Sequence, residues 1–210
     1  MSSMKLPGKM MRFDLHLIAS WIEPGARVLD LGCGEGSLLE YLIQHKKVVG
    51  SGIEQNESRV AKCIEKGLSV LQGDINVEIE DYPDDSFDYV ILSQTLQQVY
   101  APDELIRAML RIGNKGIVSF PNFSHWRVRL QLLTSGYAPV TRQLPYQWYD
   151  TPNIRVITLK DFRKFAREVG YRILKEVAID AQSTKRAGNI VRAMPDLRAN
   201  YGIFLITDHC

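Results

Sequence analysis

The sequence predicts an α/β fold: a doubly wound, mostly parallel sheet of seven strands that ends in an antiparallel hairpin. Three observations predict it. A short apolar run at 27–31 leads directly into a glycine-rich turn, apolar runs then alternate with amphipathic helical patterns as far as residue 169, and the last two strand-like runs have no helical pattern between them. Alternating strands and helices favour a parallel sheet covered on both faces, whereas consecutive strands without a crossover helix pair antiparallel.

The first half of the chain gives one leading helix and then alternating strands and helices. Apolar residues recur at helical spacing over 13–22, and Pro24 with Gly25 ends that helix. Helical spacing returns from Leu38 to Ile43 and from Val60 to Ile64. Short apolar runs of the kind found in buried parallel strands occupy 27–31, 48–53, 68–72 and 89–92.

The second half continues this alternation and then changes it. A helix is predicted over 103–111, where four apolar side chains share one face, and a fifth strand over 116–120. A capping pattern begins a further helix over 158–169. The runs 172–179 and 201–207 are the last two strands, and we expect them to pair antiparallel at one edge of the sheet.

Length and composition indicate one domain. For 210 residues we expect a flexible N-terminal tail over 1–12 and a single domain over 13–210, from which a lid segment departs at about 121–157. The hydrophobic fraction of 45% and the charged fraction of 24% are typical of a soluble globular protein.

Charge and cysteine content narrow the class of protein. A net charge of +2 gives no global electrostatic basis for binding nucleic acid. No apolar run is long enough for a membrane span or a signal peptide, so we expect a cytoplasmic protein without a membrane association. The three cysteines are scattered without metal-ligand spacing, which favours a reducing compartment and predicts no metal site.

The strongest local signal is the stretch VLDLGCGEG at 28–36. The strand runs into Gly32, Gly34 and Gly36, where glycine lets the backbone approach a ligand closely. The spacing differs from the G-x-G-x-x-G of dinucleotide loops, and Asp30 stands two residues before the first glycine. A carboxylate there would repel a pyrophosphate, but it suits S-adenosylmethionine (SAM), whose ammonium and sulfonium groups are cationic.

Two further acids follow the next two strands. Glu54 lies 24 residues after Asp30, where a carboxylate can accept both ribose hydroxyls, and Asp74 could accept from an adenine amino group. An isolated acid at a strand end is usually a helix cap or a solvated loop residue. Because the first three strands all end in an acid in one register, we interpret the set as a nucleotide site.

These residues resemble the class I SAM-dependent methyltransferases over 27–120. Further along the chain the resemblance is to one family within this superfamily. The stretches FDYVILSQTLQ at 87–97, SFPNF at 119–123, HWRVR at 125–129 and LPYQWYDTPN at 144–153 resemble the bacterial methionine biosynthesis protein MetW family, over roughly 12–180.

The resemblance implies a set of cofactor contacts. In the wider SAM-binding superfamily the matching positions bind SAM or S-adenosylhomocysteine, and here they are Asp30, Gly32, Gly34, Glu54, Asp74 and, at the start of the loop after the fourth strand, Ser93 and Gln94. Their neighbours complete the predicted cofactor-binding set: Cys33, Gly36, Gln55 and Ile75.

The resemblance also implies a function. MetW-like proteins have the methyltransferase fold, but they are associated with homoserine O-acyltransferase as an accessory or activating partner in methionine biosynthesis. An active methyltransferase acting on a small molecule is the alternative, because the cofactor half-site is complete. A nucleic-acid methyltransferase is the weakest hypothesis, since the chain is nearly neutral and lacks the Asn/Asp-Pro-Pro-Tyr signature of amino-group methylation.

The catalytic group is not evident. Many small-molecule methyltransferases have histidines just after the fourth strand, but residues 93–99 are SQTLQQV, and glutamine is no base near neutral pH. His125 is the remaining candidate base, with a local helix-start hydrogen bond as the simpler interpretation. Cys33 has no basic neighbour in sequence and is expected to pack as a small apolar residue. The aromatic residues over 121–157 form either a lid over the SAM pocket or anchors for a protein partner.

Overall fold

The computed structural model describes residues 11–141, 144–181 and 188–208. The expectation of a flexible tail therefore lies outside the described residues for 1–10. The described strands, in chain order, are β1 (Arg27–Leu31), β2 (Val49–Glu54), β3 (Ser69–Gln72), β4 (Phe87–Ser93), β5 (Gly113–Pro121), β6 (Arg172–Ala181), β7 (Gly188–Ile190) and β8 (Tyr201–Thr207).

Helices connect most of these strands, and none of those described is long and apolar enough to cross a membrane. They are α1 (Phe13–Trp21), α2 (Ser37–Lys46), α3 (Glu57–Glu65), α4 (Ile75–Glu78), α5 (Pro102–Ile112), α6 (Trp126–Ser135), α7 (Leu159–Val169) and α8 (Pro195–Arg198), with 3-10 turns at Ile79–Asp81 and Leu96–Gln98.

The strands form one sheet in the order β3-β2-β1-β4-β5-β8-β6-β7. The first five pair parallel, whereas β8 pairs antiparallel with both β5 and β6. This confirms the predicted α/β class, the parallel sheet and the antiparallel pairing of the last two strands. The chain moves outward from β1 to β3 and then returns to β4 on the other side of β1, so a crevice opens at the carboxyl ends of β1 and β4.

The sheet has eight described strands, one more than the sequence predicts. The additional strand, β7, has three residues and pairs only with β6, through Ile179–Ile190, Asp180–Asn189 and Ala181–Gly188. A run this short and polar has no strand periodicity to recognise. The antiparallel pair of β8 and β6 lies toward one edge of the sheet, as expected, but β7 is the edge strand itself.

Apolar residues cover both faces of the sheet, as alternation of strands and helices requires. On one face Ile106 and Met109 of α5 and Phe162 of α7 pack on the central strands. On the other face Ile18 of α1 and Leu42 of α2 do so. Helices on both faces bury β1, β4 and β5, which leaves the carboxyl ends of these strands as the place where polar side chains gather.

Gly36, the last glycine of the loop after β1, is required by packing. Its φ of +72° is left-handed, and a Cβ there would lie 2.3 Å from Leu68 Cδ1 and 3.0 Å from Cys63 Sγ. The loop therefore enters α2 directly against α3 and the start of β3. Gly25 has a similar φ of +78°, but nothing lies within 4 Å of its added Cβ.

We expect Gly36→Ala to destabilise the fold more than Gly25→Ala does. Both substitutions place a side chain in the left-handed region, at a cost of about 1–2 kcal/mol. Only Gly36→Ala also displaces Leu68, which should add about 1–3 kcal/mol. Urea unfolding of the two variants measures the difference, and equal losses of unfolding free energy would show that the Gly36 contact is not tight.

Candidate functional site

A cavity of about 730 Å³ opens at the carboxyl ends of β1, β2 and β4. Of the eleven residues predicted to bind the cofactor, all except Gly36 line it. Parallel strands bring their carboxyl ends to one edge of a sheet, so residues far apart in the chain converge there. Gly36 lies instead at the start of α2, and its contacts face α3 rather than the cavity.

Glu54, at the end of β2, fixes the glycine loop. Its carboxylate accepts hydrogen bonds from the backbone amides of Gly34 and Asn56, both at 2.9 Å, through different oxygens. Arg59 Nη1 lies 3.8 Å from the oxygen that Asn56 contacts. Each carboxylate oxygen has a second lone pair, so the group can hold the loop and still accept ribose hydroxyls.

Asp30, near the end of β1, is a buried acid on the cavity wall with 3% of its surface exposed. Burial, and then the neighbouring charge of Glu54, raise the pKa of the Asp30 carboxyl to about 7. Desolvation penalises the ionised form, and a cation placed beside the group would restore it. The chemistry of this wall therefore favours a cationic ligand.

Asp74 is a helix cap that also lines the cavity. Its Oδ1 accepts the backbone amide of Asn76 at 2.9 Å and the Asn76 side-chain amide at 2.8 Å, so it is the N-cap of α4. It also lines the cavity, as does Ile75. The cap fixes the carboxylate at the cavity wall.

Gln94 takes a left-handed backbone conformation, with φ of +57°, directly after β4. Its amide donates to the Ser119 carbonyl at 2.8 Å, and Ser119 Oγ in turn lies 3.1 Å from Ser93 Oγ. Its side-chain amide donates to Asp14 Oδ2 at 2.7 Å. A non-glycine residue is held in this region only where its surroundings fix it, and such positions concentrate at functional sites.

Arg12 forms a part of the wall that the sequence did not predict, and Asp14 holds it from behind the wall. Asp14 is buried in α1, and Arg12 pairs with it through two bonds, at 3.0 Å and 2.5 Å. Arg12 and Met11 line the cavity, although both fall within the segment expected to be a flexible tail. The one signal in the sequence for the Arg12–Asp14 pair was that Asp14 is an acid on the buried face of the short helix α1.

Cys33 lines the cavity, but it has the properties of a packing residue. Burial, followed by the charge of Asp30, raises the pKa of its thiol. Its Sγ would lie 2.7 Å from a Cβ at Gly52, so the side chain packs against bare backbone of β2. A neutral thiol is a poor nucleophile.

His125 does not face the cavity. It is the N-cap of α6, where its Nδ1 accepts the backbone amide of Arg127 at 3.3 Å. Burial lowers the pKa of its imidazole, Arg127 lowers it further, and Asp180 opposes them. The capping bond is the local role that the sequence offered as the simpler interpretation.

The segment 121–157 leaves the sheet after β5, and none of its described residues lines the cavity. Its two ends meet, since the amide of Phe123 donates to the Ile157 carbonyl at 3.1 Å. Arg155 fastens it to the loop after β4, because its amide donates to the Gln97 carbonyl at 3.0 Å and its side chain donates to the carbonyls of Val99 and Tyr100. Val99 and Tyr100 do line the cavity.

The residues present fit SAM or S-adenosylhomocysteine. Asp30, Glu54 and Asp74 distribute carboxylates along a cavity large enough for a nucleoside with an amino-acid side arm. Arg12, directly before α1, adds a cationic side chain to the cavity wall. Acids beside the glycine loop suit an ammonium and ribose hydroxyls, and they oppose a pyrophosphate.

Comparisons with known proteins identify relatives of this chain. The family model of the methionine biosynthesis protein MetW matches residues 12–206. A Rhodopirellula baltica protein named bifunctional methionine biosynthesis protein MetXA/MetW is 34% identical over 182 residues, which cover 82% of this chain and 29% of that protein. A ubiquinone biosynthesis O-methyltransferase of Pseudomonas fluorescens is 34% identical over 111 residues, covering 48% of this chain and 47% of the enzyme. The chain thus spans less than half the length of either curated relative.

Solved structures show the fold. A SAM-dependent methyltransferase from Archaeoglobus fulgidus is 16% identical, with a TM-score of 0.68 over 92% of this chain and 90% of that one. A second, from Mesorhizobium loti, has a TM-score of 0.65 at 16% identity, over 91% and 95%. The architecture is that of the class I methyltransferases.

We expect SAM affinity to fall as the pH is lowered below about 7. The Asp30 carboxyl, with its pKa raised to about 7, is increasingly protonated there, and binding a cation beside it must release that proton. The loss should approach about tenfold per pH unit below 7. Calorimetric titrations in buffers of different ionisation enthalpy measure the released proton. Asp30→Asn should bind more weakly with a flat pH profile, and a pH dependence retained by this variant would assign the proton elsewhere.

We expect Glu54→Gln to weaken SAM binding by about 1–3 kcal/mol, because the charged acceptor for the ribose hydroxyls becomes a neutral amide. S-adenosylhomocysteine and 5′-methylthioadenosine contain the same ribose and should lose as much, whereas free adenine should not. Calorimetric affinities for the four compounds test this. An equal loss for adenine would mean that the substitution disturbs the loop rather than a ribose contact.

Proposed function

This chain belongs to the methionine biosynthesis protein MetW family, and we propose that it is a SAM-binding accessory subunit that activates a homoserine O-acyltransferase. The observation that carries the proposal is the Rhodopirellula baltica relative, in which the matching sequence forms part of a chain named bifunctional MetXA/MetW. Two domains joined in one polypeptide stay close together in a 1:1 ratio, and this arrangement favours domains that act as partners.

The cavity supports the SAM-binding part of the proposal. When bound, SAM supplies either a transferable methyl group or a regulatory signal. The chain's own residues would orient it, with Glu54 on the ribose, Asp74 near the adenine and Asp30 beside the ammonium. Among the described residues that line the cavity there is no histidine or lysine, and a regulatory ligand needs none.

SAM is formed from methionine, so a subunit that senses it would report the output of the pathway. Such a response requires only that SAM binding and activation of the partner share a coupling free energy. We place this role in the cytoplasm, where the described free thiols Cys33 and Cys63 would stay reduced.

We expect this protein to raise the acyl-transfer rate of homoserine O-acyltransferase from the same cell several-fold. The rate is measured with and without the protein at a series of SAM concentrations. If SAM acts through the cavity, Glu54→Gln should shift the half-maximal SAM concentration upward by the factor that it costs in affinity. An unchanged rate, with no complex in size-exclusion chromatography, would refute the accessory role.

Methyl transfer to a small molecule is the second candidate. It is favoured by the O-methyltransferase relative, which matches 48% of this chain. Incubating the protein with methyl-labelled SAM and a metabolite extract of the cell tests it. Label in a small-molecule product, lost in Glu54→Gln, would support methyl transfer.

A further inference from the structure

The segment 126–156, here called the aromatic arm, exposes large apolar side chains along its described parts, 126–141 and 144–156. Its most exposed members are Leu133 (84%), Tyr137 (78%), Trp148 (76%), Tyr149 (71%) and Val156 (71%). Single exposed apolar residues are common on proteins, but a concentration of them marks an interaction site. None of the arm's described residues lines the cavity, so this surface is not turned inward over the cavity.

The composition of the arm is that of a protein–protein interface. Over 126–156 the sequence has four arginines and one aspartate but neither lysine nor glutamate, whereas the whole chain has 26 Lys and Arg against 24 Asp and Glu. Two of the three tryptophans fall in the same stretch. Interface cores are enriched in aromatic residues and arginine and depleted in lysine and glutamate, and Trp, Tyr and Arg carry most binding energy.

The arm is held in place on the domain. Val128 of α6 and Leu144 are buried, which anchors both halves of the arm. Where the arm returns to the domain, Arg155 forms hydrogen bonds with the loop after β4. A surface fixed in this way loses little conformational freedom on association, which favours binding.

We infer that the aromatic arm is the surface on which the homoserine O-acyltransferase docks. This inference rests on the proposed function, and it assigns the partner to one face of the molecule. The partner's matching surface should be apolar with acidic groups at its rim, because Arg127 and Arg129 are exposed on α6 between the apolar side chains. The relative that joins both functions in one chain supports this occupant over a second copy of the same chain.

A lipid surface is a less suitable occupant. Amphipathic segments that lie on membranes are rich in lysine as well as arginine on their polar face. The arm has no lysine, and its only described regular element is the ten-residue helix α6.

The experiment compares Leu133→Asp with Ile64→Asp in the full chain. Both replace an exposed aliphatic residue of a helix by aspartate, but Ile64 is 62% exposed on α3, near the opposite edge of the sheet. Affinity for the acyltransferase is measured by calorimetry, and SAM affinity reports that each variant is folded. We expect Leu133→Asp to weaken the complex about 30-fold, Trp148→Ala to weaken it similarly, and Ile64→Asp to leave it within about twofold.

The outcomes separate the two proposals. If the wild-type protein binds and activates the acyltransferase and both arm variants do so equally well, the docking surface lies elsewhere and the accessory role stands. If the wild-type protein neither binds nor activates it, the accessory role fails and the inference fails with it. Wild-type self-association that Leu133→Asp abolishes, or flotation with anionic lipid vesicles that it abolishes, each without acyltransferase binding, would assign the arm to another occupant and overturn the inference.

Discussion

The site depends on the bond between the Glu54 carboxylate and the Gly34 amide. This bond joins the end of β2 to the glycine loop that follows β1, and so it fixes the entry to α2. The second oxygen holds Asn56, which begins α3. One buried carboxylate thus sets the positions of two helices and the wall between them. Because a buried polar group is stabilised when each of its hydrogen-bonding positions has a partner, its structural and binding roles support each other.

The sequence predicted the part of this site that depends on local pattern. Short apolar runs located the strands, and parallel pairing then required Asp30, Glu54 and Asp74 to converge at one edge. It could not predict Gln94 bonded to Asp14, because that contact joins residues 80 apart through the packing of α1 on the loop after β4. Nor could it choose between a lid and a docking surface for 121–157, since that depends on the direction in which the chain leaves β5. The edge strand β7 forms only because β6 offers it unpaired backbone groups.

Two different kinds of surface result from the same sheet. The carboxyl ends of β1 and β2 present the buried acids Asp30 and Glu54, and a cation beside Asp30 would offset the cost of its desolvation. After β5, where the sheet becomes antiparallel, the chain instead presents exposed aromatic residues on the aromatic arm. The fold of a methyltransferase therefore provides a ligand cavity and a separate apolar face, and these can serve regulation as readily as chemistry.

The bonds from Arg155 to the carbonyls of Val99 and Tyr100 give these two surfaces a common loop. A ligand that displaces this loop would also displace the arm, and a protein bound to the arm would in turn displace the loop. Thermodynamic reciprocity then requires that, if SAM changes the affinity of this protein for a partner by some factor, the partner changes its affinity for SAM by the same factor. Under the proposed accessory role, a bound acyltransferase would therefore change the SAM concentration at which this protein responds.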